Sequence, residues 1–585
     1  MSSVFSKLDS KIQNLLSSKN IDKPTKPQER AIPAVLNGKN ILLIAPTGLG
    51  KTEAVLLPIF HNFLKNKKLN LKEKGISILY ITPLRALNRD MLRRTINWGK
   101  ELGIDIAVRH GDTTQSERTR QSKHPPDMLI TTPETFQILF IGKRLRKYLE
   151  NVRWVIVDEI HELAVDERVA QLSVGLERLH ELTSGKGVSF QRIGLSATVG
   201  SPKEVARYLG GFEDEKIRDV DILEVDATKH IDIKVELPSI KKSDYSNANH
   251  LFIEPISFAS LRRCKEAIEK HVSTLIFINT RDGAEILASR FHQWANDLQI
   301  DVHHGSLSKS ARIESEDGFK IGKLKSLICT SSLELGIDVG NTDFVIQYNS
   351  PREVKRIVQR VGRSGHSIGK TSKGIIIATN PEDLAESLSI ARRALAGELE
   401  VLKIRKNPLS VLANQIISIA LEYGKIESDK AYEIIKRTYS FNKLKKNIFD
   451  KIVEQLKKQR SIWIDDNFIF KLINSRYYFI DNISMIPDEI TYMAKDIRSR
   501  KRIGRLDESF VLNYGFEGAK FILGGKPWTI VKKEDKEILV TQSKEIGTTP
   551  SWTGEDIPVP FEIAMEVGKL RGMDPNKSEI KKYPC

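Results

Sequence analysis

Eight residues, Ala45-Pro46-Thr47-Gly48-Leu49-Gly50-Lys51-Thr52, constrain what this chain can fold into more than any others. They follow the apolar run NILLIA at 40–45 and open the helical stretch EAVLLPIFHNFL. Strand, glycine-rich loop and helix in that order form a phosphate cradle. Glycines let backbone N–H groups wrap the phosphates, and the helix N-terminus adds positive potential. Thr47, Gly48, Gly50, Lys51 and Thr52 are therefore candidate nucleotide ligands, with Lys51 reaching the outer phosphates and Thr52 ligating Mg²⁺. The order of elements favours this over a glycine-rich turn carrying a solvated lysine.

A second local pattern places a carboxylate pair. Val155-Ile156-Val157-Asp158-Glu159 ends an apolar strand-like run, which delivers two acids to the C-terminal edge of a sheet, where ligands bind in open α/β folds. Asp158 is expected to hold Mg²⁺, and Glu159 to orient and deprotonate an attacking water.

The rest of the chain repeats the strand theme twice. NILLIA, ISILYI (76–81), DMLIT (127–131), WVIVD (154–158) and QRIGL (191–195) alternate with helical patterns, and so do STLIFIN (273–279), QIDVH (299–303), SLICT (326–330), DFVIQ (343–347) and GIIIA (374–378). Such alternation predicts two parallel-sheet lobes with helices on both faces. The polar stretch SIKKSDYSNANH at 239–250 reads as a solvated connector. From Pro408 three helical patterns precede the strand-like SIWIDDNFIF, as a winged helix requires. Turn signals between short β-type runs then predict an all-β element. The expected architecture is α/β: lobe 1 over 1–217, lobe 2 over 218–402, a winged helix over 403–483 and a partial β-rich region over 484–585.

Lys and Arg number 92 against 75 Asp and Glu, a formal net charge of +17, so a polyanion is the expected partner. No apolar run is long enough for a spanning helix and the N-terminus makes a poor signal peptide, which argues for a cytoplasmic, nucleoid-associated protein rather than a membrane one. Cys264, Cys329 and Cys585 lack paired spacing, so no zinc or iron–sulfur site is expected.

The motif series as a whole resembles superfamily 2 helicases. Gln28 in KPTKPQERAIP resembles the adenine-reading motif. TPLRAL (82–87), TTPE (131–134) and SAT (196–198) resemble further lobe 1 motifs, and FINTR (277–281), TSSLELGID (330–338) and QRVGRSGH (359–366) those of lobe 2. DEIHEL, RIGLSATVGSPKEVARYLGG, HHGSLS and QYNSPREVKRIVQRVGRSGH resemble the large helicase-related (Lhr) family, in the Ski2-like neighbourhood.

That resemblance implies two RecA-like lobes, ATP and Mg²⁺ as cofactors, and 3′-to-5′ translocation on single-stranded DNA. It implies unwinding of tailed DNA duplexes or RNA–DNA hybrids in DNA repair, the alternatives being a Ski2-like RNA helicase and an ATP-gated clamp. It assigns Gln359, Arg360 and Arg363 to catalysis, with Arg363 as the γ-phosphate finger, and Asp338 to the nucleotide. Arg85, Thr132, Thr280 and Thr330 are assigned to the strand backbone and Trp552 to base stacking. His366 stands where many relatives place a second arginine. Lhr cores continue through a long C-terminal domain, whereas this sequence stops at Cys585, so a truncated or split member is expected. Trp463 and Trp528, on strand-like runs, are expected in the core. The basic stretch 496–505 is expected to be a solvated face.

Overall fold

The computed structural model describes residues 3–572 except 47, 70–74, 84–88, 112, 164–166, 198, 226–230, 335–341, 366–370, 485–489, 544, 546 and 551–556. The chain forms two compact units, Met1–Ala227 with Val401–Asp488, and Thr228–Glu400 with Glu489–Cys585.

In the first unit, strands β1 (Ile41–Ile44), β2 (Ile78–Ile81), β3 (Ile106–Arg109), β4 (Met128–Thr131), β5 (Trp154–Val157) and β6 (Gln191–Ser196) belong to one parallel sheet. After a short hairpin of β7 (Phe212–Glu213) and β8 (Lys216–Ile217), β9 (Asp221–Glu224) joins its edge, in the order β3-β4-β2-β5-β6-β1-β9. β9 lies beyond residue 217, so lobe 1 extends past the expected boundary: its pairing with β1 is a long-range contact that no local pattern signals.

The central strands β1, β2, β4 and β5 are buried along their whole length because they are apolar at nearly every position. Ile41, Leu43, Tyr80 and Ile156 enter one cluster, while Leu42, Ile44, Leu79 and Val157 enter the other. That second cluster runs on without a break into Leu412, Ile416, Phe449 and Leu456 of the 401–488 segment.

The second unit repeats the design. Strands β10 (Ile231–Glu236), β11 (Thr274–Phe277), β12 (Ile300–His303), β13 (Ser326–Cys329), β14 (Phe344–Tyr348) and β15 (Ser372–Ile377) form a parallel sheet ordered β10-β15-β14-β11-β13-β12. All five strand-like runs of the second set are strands. The expected connector is not a solvated link: Lys242–Leu251 is a helix. Asp244 explains it, for its fully buried carboxylate accepts from the Lys241 N–H at 2.7 Å and from Arg262 Nε at 3.0 Å. Composition alone hid this, since a polar stretch caps a helix as readily as it forms a loop.

The winged helix consists of helices Leu409–Tyr423, Ser428–Lys436 and Lys446–Lys458, with strands β16 (Lys425–Glu427), β17 (Ile462–Asp465) and β18 (Phe468–Lys471). A fourth helix, Ile473–Asp481, follows. The C-terminal sheet has β19 (Thr491–Asp496), β20 (Arg502–Asp507), β21 (Lys520–Leu523), β22 (Lys526–Lys533) and β23 (Glu537–Gln542), in the order β20-β19-β23-β22-β21.

This region is not purely β, because helices Glu508–Tyr514 and Phe561–Arg571 belong to it. Its Phe521, Leu523 and Trp528 share a core with Ile276, Ile328 and Ile346 of the second parallel sheet. Ile563 and Val567 of the last helix join the cluster on that sheet's other face. The Gly524-Gly525 turn adopts positive φ at both residues, and their N–H groups donate to the buried carboxylate of Glu285. Trp528 is buried as expected, whereas Trp463 is 54% exposed. Arg498, Arg500, Lys501 and Arg502 of the basic stretch are exposed.

Candidate nucleotide site

β1 ends at Ile44, the helix Lys51–Lys68 begins at Lys51, and Gly48 and Gly50 between them take φ of 84° and 76°. Left-handed backbone at both positions is what glycine permits and other residues resist. A Cβ on Gly50 would also come within 2.9 Å of Gln28 Nε2. Gln28 is buried at the start of the helix Lys26–Leu36, and its Oε1 accepts from Thr25 N at 2.9 Å. Thr25 Oγ1 in turn donates to Leu49 O at 2.9 Å, so Gln28 and the loop are one hydrogen-bonded assembly. The Lys51 ammonium is buried and donates to Ala45 O at 2.8 Å and Ser196 O at 3.2 Å, tying the loop to the ends of β1 and β6. Thr47 lies outside the described residues.

Asp158 and Glu159 leave β5 beside this loop. Glu159 takes a left-handed φ of 46°, uncommon outside glycine and of a kind that concentrates at functional sites, and its N–H donates to Asp158 Oδ1 at 2.9 Å. Tyr80 is the residue that sequence reasoning missed. Its fully buried hydroxyl donates to Asp158 Oδ2 at 2.6 Å. The only signal was a phenol inside the otherwise apolar strand run ILYI. Burial, followed by the charge of Glu159, raises the Asp158 pKa to about 6, with Tyr80 and Lys51 pulling the other way. His161 Nδ1 lies 3.1 Å from Ser196 Oγ and 3.6 Å from Glu159 Oε2, which links the DEIH and SAT strings through one imidazole.

These residues fit a nucleotide-borne Mg²⁺. Glu159 Oε2 is buried without a hydrogen-bond partner, and burial, with the Glu159 charge beside it, raises the Asp158 pKa. Among the described residues no cluster of three or more His, Cys, Asp or Glu could hold a metal alone. Mg²⁺ commonly takes one or two protein ligands and completes its shell with phosphates and water. Asp158 and Thr52 would hold it.

A raised pKa also sets a pH dependence. In the folded apo chain the Asp158 proton is held more tightly than in the unfolded chain, so its contribution to stability is present at low pH and is lost as pH rises through about 6. Metal binding runs the opposite way, needing the ionised form above that value. Tyr80→Phe removes a donor that stabilises the carboxylate. The acid limb of Mg²⁺-ATP hydrolysis is therefore expected to move to higher pH, and a pH–rate profile that coincides with wild type would refute this role for Tyr80.

In the second unit, Gln359 and Arg360 lie on the helix Val354–Val361 and Arg363 just beyond it. Arg360 is fully buried, donating to Gln347 Oε1 at 2.6 Å and Asn279 Oδ1 at 3.1 Å and lying 3.3 Å from Glu334 Oε2. Its guanidinium is thus held by three neighbours within the second unit. Arg363 is buried and donates to Glu334 O at 2.8 Å. Glu334, within TSSLELGID, thus fixes both arginines, one through its side chain and one through its carbonyl. Asp338 and His366 lie outside the described residues.

Thr132 and Thr280 cap helices Pro133–Ile141 and Arg281–Trp294, accepting from Thr135 N and Gly283 N, and Thr330 starts the 3₁₀ turn Ser331–Leu333. Thr132 and Thr330 directly follow the parallel strands β4 and β13, and Thr280 lies three residues past the end of β11. Arg85 and Trp552 lie outside the described residues.

Comparison with known proteins agrees with this geometry. The DEAD/DEAH box helicase family matches residues 25–205, the helicase conserved C-terminal domain matches 259–367, and the large helicase-related protein winged helix domain matches 392–549. The ATP-dependent helicase Lhr-Core of Sulfolobus acidocaldarius is 37% identical over 572 residues. The chain belongs to the Lhr family. The Lhr-Core helicase of Methanocaldococcus jannaschii is also 37% identical, over 569 residues. Each alignment covers 94% of this chain but only 64% and 65% of the relative, so the chain spans a little under two-thirds of the Lhr-Core proteins it matches. The structure of Mycobacterium smegmatis helicase Lhr bound to ssDNA and AMP-PNP is similar with a TM-score of 0.75 at 29% identity, covering 98% of this chain and 71% of that one.

Proposed function

We propose that this Lhr-family chain is an ATP-dependent helicase and translocase that moves 3′ to 5′ along single-stranded DNA, unwinding tailed DNA duplexes or RNA–DNA hybrids in DNA repair. The observation that carries the reading is the lobe 1 assembly of Gln28, Lys51, Thr52, Tyr80, Asp158 and Glu159 around one glycine loop. Phosphoanhydride hydrolysis needs positioning and charge neutralisation more than covalent chemistry. Mg²⁺ bound with ATP supplies part of that neutralisation. Lys51 orients the outer phosphates, Asp158 holds its charge toward the metal, and Glu159 accepts the proton of the attacking water. Arg363 acts as the γ-phosphate finger, held by Glu334.

The helix caps at Thr132 and Thr280 and the turn at Thr330 suit a sugar–phosphate backbone, which hydroxyls and N–H groups grip without reading bases. The Mycobacterium smegmatis relative, solved with ssDNA and a nucleotide, supports the pairing of these two ligands. A net charge of +17 supports a polyanionic track.

Strand displacement on 3′-tailed and 5′-tailed duplexes of DNA, RNA and hybrid composition tests the reading. ATP-dependent displacement of 3′-tailed DNA and hybrid duplexes, with little activity on 5′ tails, is expected. Displacement confined to RNA duplexes would indicate an RNA helicase, and stimulated ATP hydrolysis without displacement an ATP-gated clamp.

A further inference from the structure

The outward face of the winged-helix sheet carries a feature that the nucleotide site does not use. The register places Ile426, Ile469 and Ile464 in one row across β16, β18 and β17. Ile426 and Ile469 are buried, and all three pack in the apolar core. One residue along, side chains point to the opposite face, and there the row is Lys425, Phe470 and Trp463. The next row on that face is Glu427, Phe468 and Asp465.

Trp463 is 54% exposed, Phe468 and Phe470 are half-buried, and none of the three belongs to the core that takes Ile462, Ile464 and Ile469. Ammonium groups lie beside these rings instead of apolar neighbours. Lys425 Nζ is 4.0 Å from the Phe468 ring centroid and 5.2 Å from that of Phe470. Lys457 Nζ is 6.0 Å from the centroid of Trp463, and Lys457 and Lys458 end the helix that leads into β17.

We propose that this face binds single-stranded nucleic acid, one base stacking on the Trp463–Phe470 pair while neighbouring phosphates pair with Lys425, Lys457 and Lys458. Aromatic faces next to mobile cations are the combination that sequence-tolerant strand binders use. The acids Glu427 and Asp465 repel a phosphate backbone and so direct the strand along the lysine side. A docked protein would need on the order of 800 Å² of complementary surface, whereas on this sheet face the three rings are interleaved with charges. The surface lies on strands remote in sequence from every motif that resembles a strand-gripping one.

The proposal rests on the reading of the chain as a nucleic-acid motor, and its test separates the two. Anisotropy without ATP would measure binding of the purified full chain to poly(dT), to poly(rU) and to an abasic phosphodiester polymer. Trp463→Ala is expected to weaken binding of the two base-bearing polymers about tenfold, the scale of one lost base–aromatic stack. The abasic polymer should bind wild type and Trp463→Ala alike, and Trp463→Phe should restore most of the loss. Nucleic-acid-independent ATP hydrolysis by Trp463→Ala should equal wild type, showing that the chain is folded. Equal affinity of wild type and Trp463→Ala for poly(dT) and poly(rU) would overturn the proposal and leave the face to a protein partner. A loss of the same size on the abasic polymer would also overturn it. Failure of the wild-type chain to bind any of the polymers would instead refute the motor reading.

Discussion

Lys51→Ala is expected to bring nucleic-acid-stimulated ATP hydrolysis close to background, a loss on the order of 10²–10³-fold, as for removal of one preorganised donor to developing charge. Two roles of the ammonium argue for a large effect. It bridges Ala45 O and Ser196 O, so it shapes the loop in addition to the phosphate-orienting role proposed for it. It is also one of the groups that offset the raised pKa of Asp158, and its removal favours the protonated acid, which cannot serve Mg²⁺. Stimulated turnover of Lys51→Ala within a few-fold of wild type would show that the glycine loop is not the catalytic phosphate site. Binding of nucleic acid by the same variant should persist, since the strand-contact candidates lie elsewhere.

Glu422→Ala should destabilise the first unit by about 3–5 kcal/mol, the cost of leaving a buried charge without its partner. Arg178 Nε meets Glu422 Oε2 at 2.8 Å, both side chains being fully buried, and Arg146 Nε reaches Oε1 at 3.1 Å. Arg178 also donates to Gln137 Oε1 at 3.0 Å and Ser418 Oγ at 2.8 Å. The network joins the lobe 1 helix Arg168–Ser184 to the winged-helix helix Leu409–Tyr423. Denaturant unfolding of Glu422→Ala checks the expectation, and a midpoint equal to wild type would mean that the pair contributes nothing to the joint. Replacing Arg178 and Glu422 together by apolar residues should recover much of the loss, since no unpaired charge then remains.

The network also explains why the winged helix belongs to the first unit. Its apolar cluster is continuous with that of the first parallel sheet, and the buried ion pair fixes how the two helices meet. The C-terminal sheet is bound to the second unit in the same manner, through a shared core and through Glu285, which holds the Gly524-Gly525 turn. Neither docking could be read from residue order, because a short amphipathic element does not specify which distant apolar face it will cover.

What the sequence by itself determined was whatever is encoded within a few consecutive residues. The strand–loop–helix around Lys51, the carboxylates closing β5 and the two series of apolar strands all depend on local spacing and periodicity. The structure alone decided what depends on contacts between distant segments: Tyr80 seated on Asp158, Glu334 fixing Arg360 and Arg363, β9 closing the first sheet, and Asp244 capping a helix in a stretch that reads as a connector. Trp463 shows the boundary between the two. The alternation of Ile462 and Ile464 with Trp463 and Asp465 stands in the sequence, but an alternating strand has two faces, and only the helices packed on one of them settle which is buried.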